Sequence, residues 1–168
     1  MTPLPPPLGT GELVLWRLEQ LTFAHAWDSG EGSFRAGGRW SPRGVRCVYA
    51  VLDPATAILE VAVHRTFQAL DTVPHVLTSA RIDDPGRARV VAPEEIPNPN
   101  WLRPGAPSAG QQAFGDALLQ AHPFVLFPSV VSPQSWNLLF DPTQAAGLHT
   151  LLAQEPFALD PRLHPPAA

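Results

Sequence analysis

Three residues able to take part in chemistry follow one another at nearly even spacing in the first half of the chain. Arg39 follows a glycine pair, Tyr49 lies in a short apolar run ten positions later, and Glu60 lies in an alanine-rich segment eleven positions after Tyr49. An arginine can pair with phosphate oxygens, a tyrosine ring can stack on a flat group, and a carboxylate can stabilise positive charge at a sugar carbon. This set suits a substrate that carries phosphates, a ring and a sugar.

The composition excludes several other kinds of site. All eleven basic residues are arginines, and both Walker-type phosphate binding and Schiff-base chemistry need a lysine. The single cysteine, Cys47, excludes a disulfide framework or a multi-thiolate metal site, and its apolar setting indicates a structural thiol. The six histidines are scattered outside any ligand motif, so we expect no metal site. Phosphates must therefore be bound by arginines, backbone N–H groups or helix N-termini.

Charge and hydropathy place the chain in a broad class. The formal net charge is −4, which argues against general nucleic-acid binding, and 45% of the residues are hydrophobic, as in a globular domain. No apolar run is long enough to cross a bilayer, and the N-terminus lacks the basic and apolar regions of a signal peptide. We expect a cytoplasmic protein with a proline-rich arm over residues 1–12, one domain over residues 13–162 and a tail over residues 163–168.

Glu60 is expected on a helix. Asp53 and Pro54 are a favourable N-cap and first residue, and the helix is predicted from about residue 55 to residue 67. Thr56, Glu60 and His64 recur every four residues and form one narrow polar line with apolar residues on both sides. This line either faces a cleft or carries an exposed Glu60–His64 pair, and the periodicity alone does not separate the two.

Arg17 and Tyr49 are expected on strands, and Arg39 is expected directly after a glycine-containing loop. The predicted strand over residues 13–18 puts Arg17 beside Leu15, at a sheet edge or facing a polar cleft. Tyr49 lies on a predicted strand over residues 45–52, where a core or rim position is the simpler alternative to a role in a site. The loop over residues 28–38 ends in two glycines, which permit close backbone approach or positive φ before Arg39.

The second half of the chain predicts a mixed α+β domain. A helix is expected from about residue 108 to residue 120 with Ala113, Phe114, Ala117 and Leu118 facing inward, and another over residues 144–153. Ser129 follows Pro128 at the break of a buried strand, where its hydroxyl either caps its own backbone or faces a site. Regular βα alternation and a G-x-G-x-x-G helix start are absent, which argues against a Rossmann fold. Further strands are predicted over residues 76–82, 88–91 and 124–131.

Several motifs together resemble the RES domain, a family named for its arginine, glutamate and serine. The resemblance covers about residues 13–162. The motifs that carry it are Gly37-Gly38-Arg39-Trp40, Tyr49, Ala57-Ile58-Leu59-Glu60, Pro128-Ser129-Val130-Val131 and Asn137-Leu138-Leu139-Phe140-Asp141-Pro142.

The resemblance implies a compact fold similar to ADP-ribosyltransferases of the diphtheria-toxin type. It also implies the toxin of a bacterial toxin–antitoxin pair, which takes NAD+ as substrate rather than as cofactor and hydrolyses or phosphorolyses its nicotinamide–ribose bond. Transfer of ADP-ribose to a protein and a non-catalytic nucleotide-binding module are the alternatives. The implied partner is an Xre-like helix-turn-helix antitoxin, and a homodimer within that complex is compatible with the sequence.

The resemblance also implies roles for five residues. Arg17 and Arg39 would bind the diphosphate and orient the ribose, and Tyr49 would stack on the nicotinamide. Glu60 would stabilise the ribosyl cation, and Ser129 would hydrogen-bond the nicotinamide half. The chain departs from the usual pattern at three positions: Leu18 in place of an aromatic residue, Ser41 in place of asparagine, and Asp141 in the later Asn-Pro motif.

Overall fold

The computed structural model describes residues 12–167, so the predicted arm, apart from Glu12, and the last residue of the tail lie outside the described residues. Seven strands form one mixed sheet in the order β4-β5-β6-β2-β1-β3-β7, in which β4 and β5 are parallel and the other neighbours antiparallel. The prediction of an α+β domain is confirmed. The strands are β1 (Leu13–Gln20), β2 (Val48–Val51), β3 (His75–Ile82), β4 (Ala88–Val90), β5 (Phe124–Pro128), β6 (Trp136–Phe140) and β7 (His149–Phe157).

In the described part of the chain, three α-helices accompany the sheet: α1 (Glu31–Ala36), α2 (Pro54–Thr72) and α3 (Ala109–Ala121). Helix α2 begins as predicted, since Asp53 Oδ1 accepts the Thr56 N–H at 2.8 Å and Pro54 needs no N–H partner. Helix α3 is capped by Ser108, whose hydroxyl accepts the Gln111 N–H at 3.1 Å. None of the helices in residues 12–167 combines the length and apolar character needed to span a membrane.

Alternating side chains give the sheet two apolar faces. One face packs Leu13 and Leu15 of β1 with Phe124 of β5 and Phe140 of β6, and Trp27 covers them. The opposite face packs against α3 on the β5–β6 side and against α2 on the β1–β3 side. The period-2 pattern of β1 therefore holds, and it leaves Arg17 on the same face as Leu15.

The sheet is nearly divided between β1 and β2. Strand β1 pairs with β3 at eight positions and β2 pairs with β6 at four, but β1 and β2 share the single pair Trp16–Val51. Beyond that pair no further ladder pair joins the two strands in the described residues. We call this division the fork; β1 and β3 lie on one side of it, and β2, β6 and β5 on the other.

Two expectations about secondary structure are wrong, and one about the buried face of a helix is wrong in part. Residues 144–153 are not a helix, because the chain turns through Gly147 at φ +73° and then forms β7, which pairs along the outer edge of β3. The loop predicted over residues 28–38 contains helix α1. The expected inward face of α3 holds in part: Phe114 and Leu118 are partly buried and pack against the core, whereas Ala113 and Ala117 are exposed. The helix buries Gln111, Gly115 and Leu119 because it approaches its neighbour along its glycine rather than along its alanines.

Helix α2 contains a break at Thr66, whose backbone has φ 71° and ψ 157°. This region is essentially restricted to glycine, and a β-branched residue there costs about 1–3 kcal/mol. We predict that Thr66→Gly raises the free energy of unfolding by about 1 kcal/mol. The gain is smaller than the backbone strain that is removed, because glycine loses more conformational entropy on folding. Urea unfolding measures the change. Thr66→Ala keeps a Cβ and should bring much less, so an equal gain from both variants would contradict backbone strain as the cause.

Candidate active site

The Tyr49 hydroxyl holds the glycine–arginine loop in place. It accepts the Trp40 N–H at 3.1 Å and shares a hydrogen bond of 2.8 Å with the Ser41 hydroxyl. Burial raises the pKa of this phenol, and the hydrogen bonds only partly oppose the rise. The hydroxyl is already engaged in holding the loop, which favours a positioning role over one as a general acid or base, and Tyr49 as a residue is only partly buried.

Glycine is required at positions 37 and 38 for two different physical reasons. A Cβ on Gly38 would lie 2.3 Å from the Tyr49 hydroxyl oxygen, so this position admits no side chain while the phenol is in place. Gly37 has φ +72°, a conformation that other residues rarely adopt. The prediction that this pair serves close approach and positive φ is confirmed.

Helix α3 encloses the same loop from the other side. A Cβ on Gly115 would lie 2.2 Å from the Trp40 carbonyl oxygen, so the helix backbone rests almost directly on the loop. The Trp40 ring is fully buried and stacks on Phe127 of β5 with centroids 4.0 Å apart. Gln112 adds a hydrogen bond from its side-chain amide to the Gly38 carbonyl at 2.8 Å. The loop is thus fixed between a strand and a helix.

Arg39 is a half-buried cation that contacts no carboxylate of the described residues. Its Nη1 donates to the Trp101 carbonyl at 3.1 Å. Burial lowers the pKa of its guanidinium, and the Glu60 charge is near enough to oppose that change. Six of the eleven arginines form ion pairs with carboxylates, and of the five that form none in the described part of the chain, only Arg39 is not exposed. Its free donors suit an anionic ligand.

Glu60 is oriented by Ser129. The Ser129 hydroxyl is fully buried and donates to Glu60 Oε1 at 3.0 Å, and the Ser129 hydroxyl oxygen accepts the Ser132 N–H at 3.1 Å. Glu60 has no basic side chain within ion-pair distance in residues 12–167, and it remains partly accessible. The polar line of α2 thus faces inward at Thr56 and Glu60, whereas His64 is exposed and forms no pair with Glu60 in the described structure.

Arg17 lies at the fork and is strongly engaged. Its Nη1 donates to the Tyr49 carbonyl at 2.6 Å, across the fork, and its Nε donates to Glu19 Oε2 at 3.0 Å. Glu19 is buried, and the Thr78 hydroxyl donates to its other oxygen at 2.6 Å. Burial raises the pKa of the Glu19 carboxyl, while Thr78 and Arg17 lower it. Arg17 thus joins the two sides of the sheet with much of its charge compensated.

Contacts or charge interactions link four of the predicted site residues, Arg39, Tyr49, Glu60 and Ser129, and Arg17 joins them only through the Tyr49 backbone carbonyl. Tyr49 contacts the Arg39 loop and Arg17, the charges of Arg39 and Glu60 interact, and Ser129 contacts Glu60. The sequence did not indicate Glu19, because an acid two positions after an arginine on a strand is common at surfaces. Cys47 is buried, and burial raises the pKa of its thiol, as suits a structural cysteine. Within residues 12–167, no cluster of His, Cys, Asp and Glu is arranged to hold a metal ion.

A family model described as the RES domain matches residues 14–160, most of the chain. The chain belongs to the RES-domain family. Two relatives of this RES domain are "Toxin Res" from Pseudomonas putida, 31% identical over 90% of this chain and 99% of that protein, and "Prs ADP-ribosylating toxin" from a Sphingobium species, 33% identical over 80% of this chain and 85% of that protein.

A solved structure shares the fold of this RES domain. It is the crystal structure of the Mycobacterium tuberculosis MbcT–MbcA toxin–antitoxin complex, with a TM-score of 0.64, 18% identity, and coverage of 88% of this chain and 85% of that one. At this identity the likeness establishes the fold alone.

Removing the Tyr49 hydroxyl tests its role as an anchor. Tyr49→Phe keeps the ring but leaves the buried Trp40 N–H and the Ser41 hydroxyl without this partner, so we expect it to lower the free energy of unfolding by about 1–3 kcal/mol. Ser41→Ala removes only one of the two bonds and should cost less. Urea unfolding of both variants measures this, and a Tyr49→Phe protein as stable as the wild type would refute the anchoring role.

A matched glycine pair in α3 tests the contact between this helix and the loop. Gly115→Ala places a methyl group against the Trp40 carbonyl and should destabilise the RES domain by about 1–3 kcal/mol. Gly110→Ala in the same helix meets nothing within 4 Å and should be neutral or stabilising by up to about 1 kcal/mol. Thermal unfolding compares them, and equal melting temperatures would show that α3 does not depend on this close approach.

Proposed function

We propose that this RES domain is the toxin of a bacterial toxin–antitoxin pair and that it cleaves the nicotinamide–ribose bond of NAD+. Membership of the family and two relatives that are toxins by name support the first part. The second part is supported mainly by one observation: a half-buried arginine and a glutamate interact electrostatically, yet neither has an ion-pair partner in the described residues.

The proposed reaction breaks the bond between the nicotinamide nitrogen and the ribose C1′. The bonding electrons leave with nicotinamide, which becomes neutral, and positive charge develops on the ribose. The Glu60 carboxylate stabilises this charge electrostatically, without covalent bonding. An oxygen of water or phosphate then bonds to C1′, and its proton passes to solvent. Glu60 can act in this way because Ser129 fixes one carboxylate oxygen and the group stays partly accessible.

The remaining residues bind and orient the substrate in this proposal. Arg39 pairs with the diphosphate through the guanidinium N–H groups that Trp101 leaves free. Arg17 contributes less to that binding, because Glu19 compensates its charge and the Tyr49 carbonyl occupies one of its donors. The accessible part of Tyr49 stacks on the nicotinamide. Ser129 is buried and serves the nicotinamide half through Glu60 rather than by a separate contact.

ADP-ribosyl transfer to a protein is the second candidate. It is favoured by the name of the Sphingobium relative, which is an ADP-ribosylating toxin. The chemistry at C1′ is the same, and only the acceptor differs. The partner we propose is a helix-turn-helix antitoxin that covers the surface at which Arg39 and Glu60 are accessible. The structural neighbour, a toxin–antitoxin complex, supports a partner of this kind.

The reaction predicts a strong effect at Glu60. Purified protein incubated with NAD+ should release nicotinamide, detected by chromatography, with and without added phosphate. Glu60→Gln keeps the size of the side chain but removes its charge, and we expect kcat to fall by about 100-fold or more. Glu155→Gln is the matched control, since Glu155 is exposed on β7 and should be neutral in its effect.

Three outcomes separate the candidates. Free ADP-ribose or its phosphorylated product favours cleavage, whereas label from [adenylate-32P]NAD+ retained on a lysate protein favours transfer. Absence of nicotinamide release under all of these conditions would overturn the proposed chemistry. Expression in bacteria adds a cellular measurement, in which the wild type should arrest growth and Glu60→Gln should not. A fully toxic Glu60→Gln would remove this residue from the mechanism.

A further inference from the structure

The loop between β5 and β6, residues 129–135, is attached to helix α2 at two points. The Ser129 hydroxyl donates to Glu60 at 3.0 Å, and the Thr56 hydroxyl donates to the Ser135 hydroxyl at 3.0 Å. Thr56 and Glu60 are four residues apart, so they lie one helical turn apart on the same face of α2. One loop therefore spans two successive turns of the helix that carries the carboxylate.

The loop is closed by its own hydrogen bonds. The Ser129 N–H donates to the Ser135 carbonyl at 3.0 Å, and the Ser135 N–H donates to the Ser132 carbonyl at 2.7 Å. The Ser132 and Ser135 hydroxyls are 3.2 Å apart. Because both ends of the loop are bonded to each other, fixing Ser135 against the helix also fixes Ser129.

These bonds also set the direction of the Ser129 proton. Its oxygen already accepts the Ser132 N–H, so the hydroxyl hydrogen is directed to Glu60 Oε1. The bond geometry is sheltered from water, because Ser129 is 0% exposed and Thr56 is 2% exposed. Asp53 caps the Thr56 N–H, so the Thr56 side chain is not needed to start the helix and is free for the loop.

We infer that Thr56 and Ser135 are positioning residues for Glu60: their hydrogen bond holds the β5–β6 loop in the place from which Ser129 orients the carboxylate. The inference rests on the proposed function, because it assigns these residues to the reaction at Glu60. A carboxylate displaced by about 1 Å from the developing charge can cost up to about 100-fold in rate. Substrate binding through Arg39 does not involve this loop, so the effect belongs to the chemical step.

A substitution at Thr56 tests this directly. Thr56→Val keeps the shape of the buried side chain and removes only the hydroxyl, while Ser135 keeps Ser132 as a partner. We expect kcat for nicotinamide release to fall about 10-fold with KM for NAD+ changed less than about 2-fold, since a group that acts only on the transition state changes kcat. Thr56→Ser restores the hydroxyl and should recover most of the activity. Thr72→Val is the control, because Thr72 is exposed and bonds only within α2.

Coupling to the loop gives a second measurement. If Thr56 acts through Ser129, the loss in Thr56→Val with Ser129→Ala should be smaller than the product of the two single losses. Crystal structures provide a readout that does not depend on catalysis: the Ser129–Glu60 bond should be lost or lengthened in Thr56→Val and kept in Thr56→Ser. Circular dichroism and melting temperatures identify any variant that fails to fold.

The outcomes distinguish this inference from the proposed reaction. A wild type that releases no nicotinamide, together with the expected change in the Ser129–Glu60 bond, refutes the reaction and leaves the positioning of Glu60 standing. A wild type that is active, with Thr56→Val equally active and its Ser129–Glu60 bond intact, overturns the inference. An equal loss in Thr56→Val and Thr56→Ser would also overturn it, because the hydroxyl would then not be the cause.

Discussion

The contact between Tyr49 and Gly38 is the constraint on which the site depends. The phenol occupies the space that any side chain at Gly38 would need, and its hydroxyl binds the two residues that follow Arg39. Helix α3 can press on the loop from the opposite side only because position 115 is also glycine. The position of Arg39 therefore depends on the absence of side chains at positions 38 and 115 as well as on the hydrogen bonds of the neighbouring residues.

Arg39 and Arg17 differ in how the charge of the partly buried guanidinium is compensated. Removing a cation from water is unfavourable unless a counter-charge or hydrogen bonds replace the water. Glu19 provides that counter-charge to Arg17, whereas Arg39 has one carbonyl and the more distant charge of Glu60. Electrostatic imbalance of this kind concentrates at functional sites, because a ligand supplies the missing charge. In the proposed reaction, the phosphates of NAD+ would supply it at Arg39.

Local signals in the sequence predicted a useful part of this architecture. The Asp53-Pro54 cap, the alternation of β1 and the glycine pair each depend on neighbours in the chain, and each matches the structure. The predictions failed where contacts between residues far apart in the sequence determine the structure. Residues 149–157 became a strand because β3 offers a free edge, and α3 turned its glycine inward because the Trp40 carbonyl lies there. The roles of Glu19 and Ser135 likewise depend on partners 59 and 79 residues away.

The site residues also have a structural role, because they connect the two sides of the fork. Strands β1 and β2 share one pair, so the two sides of the sheet need other connections. Arg17 crosses the fork to the Tyr49 carbonyl, and α2, which packs on β1 and β3 through Leu18 and Leu77, reaches the β5–β6 loop through Thr56 and Glu60. The polar groups assigned to NAD+ thus also join the two sides of the domain. A substitution among them can change stability and activity together, and only separate measurement of KM, kcat and unfolding assigns the loss to one cause.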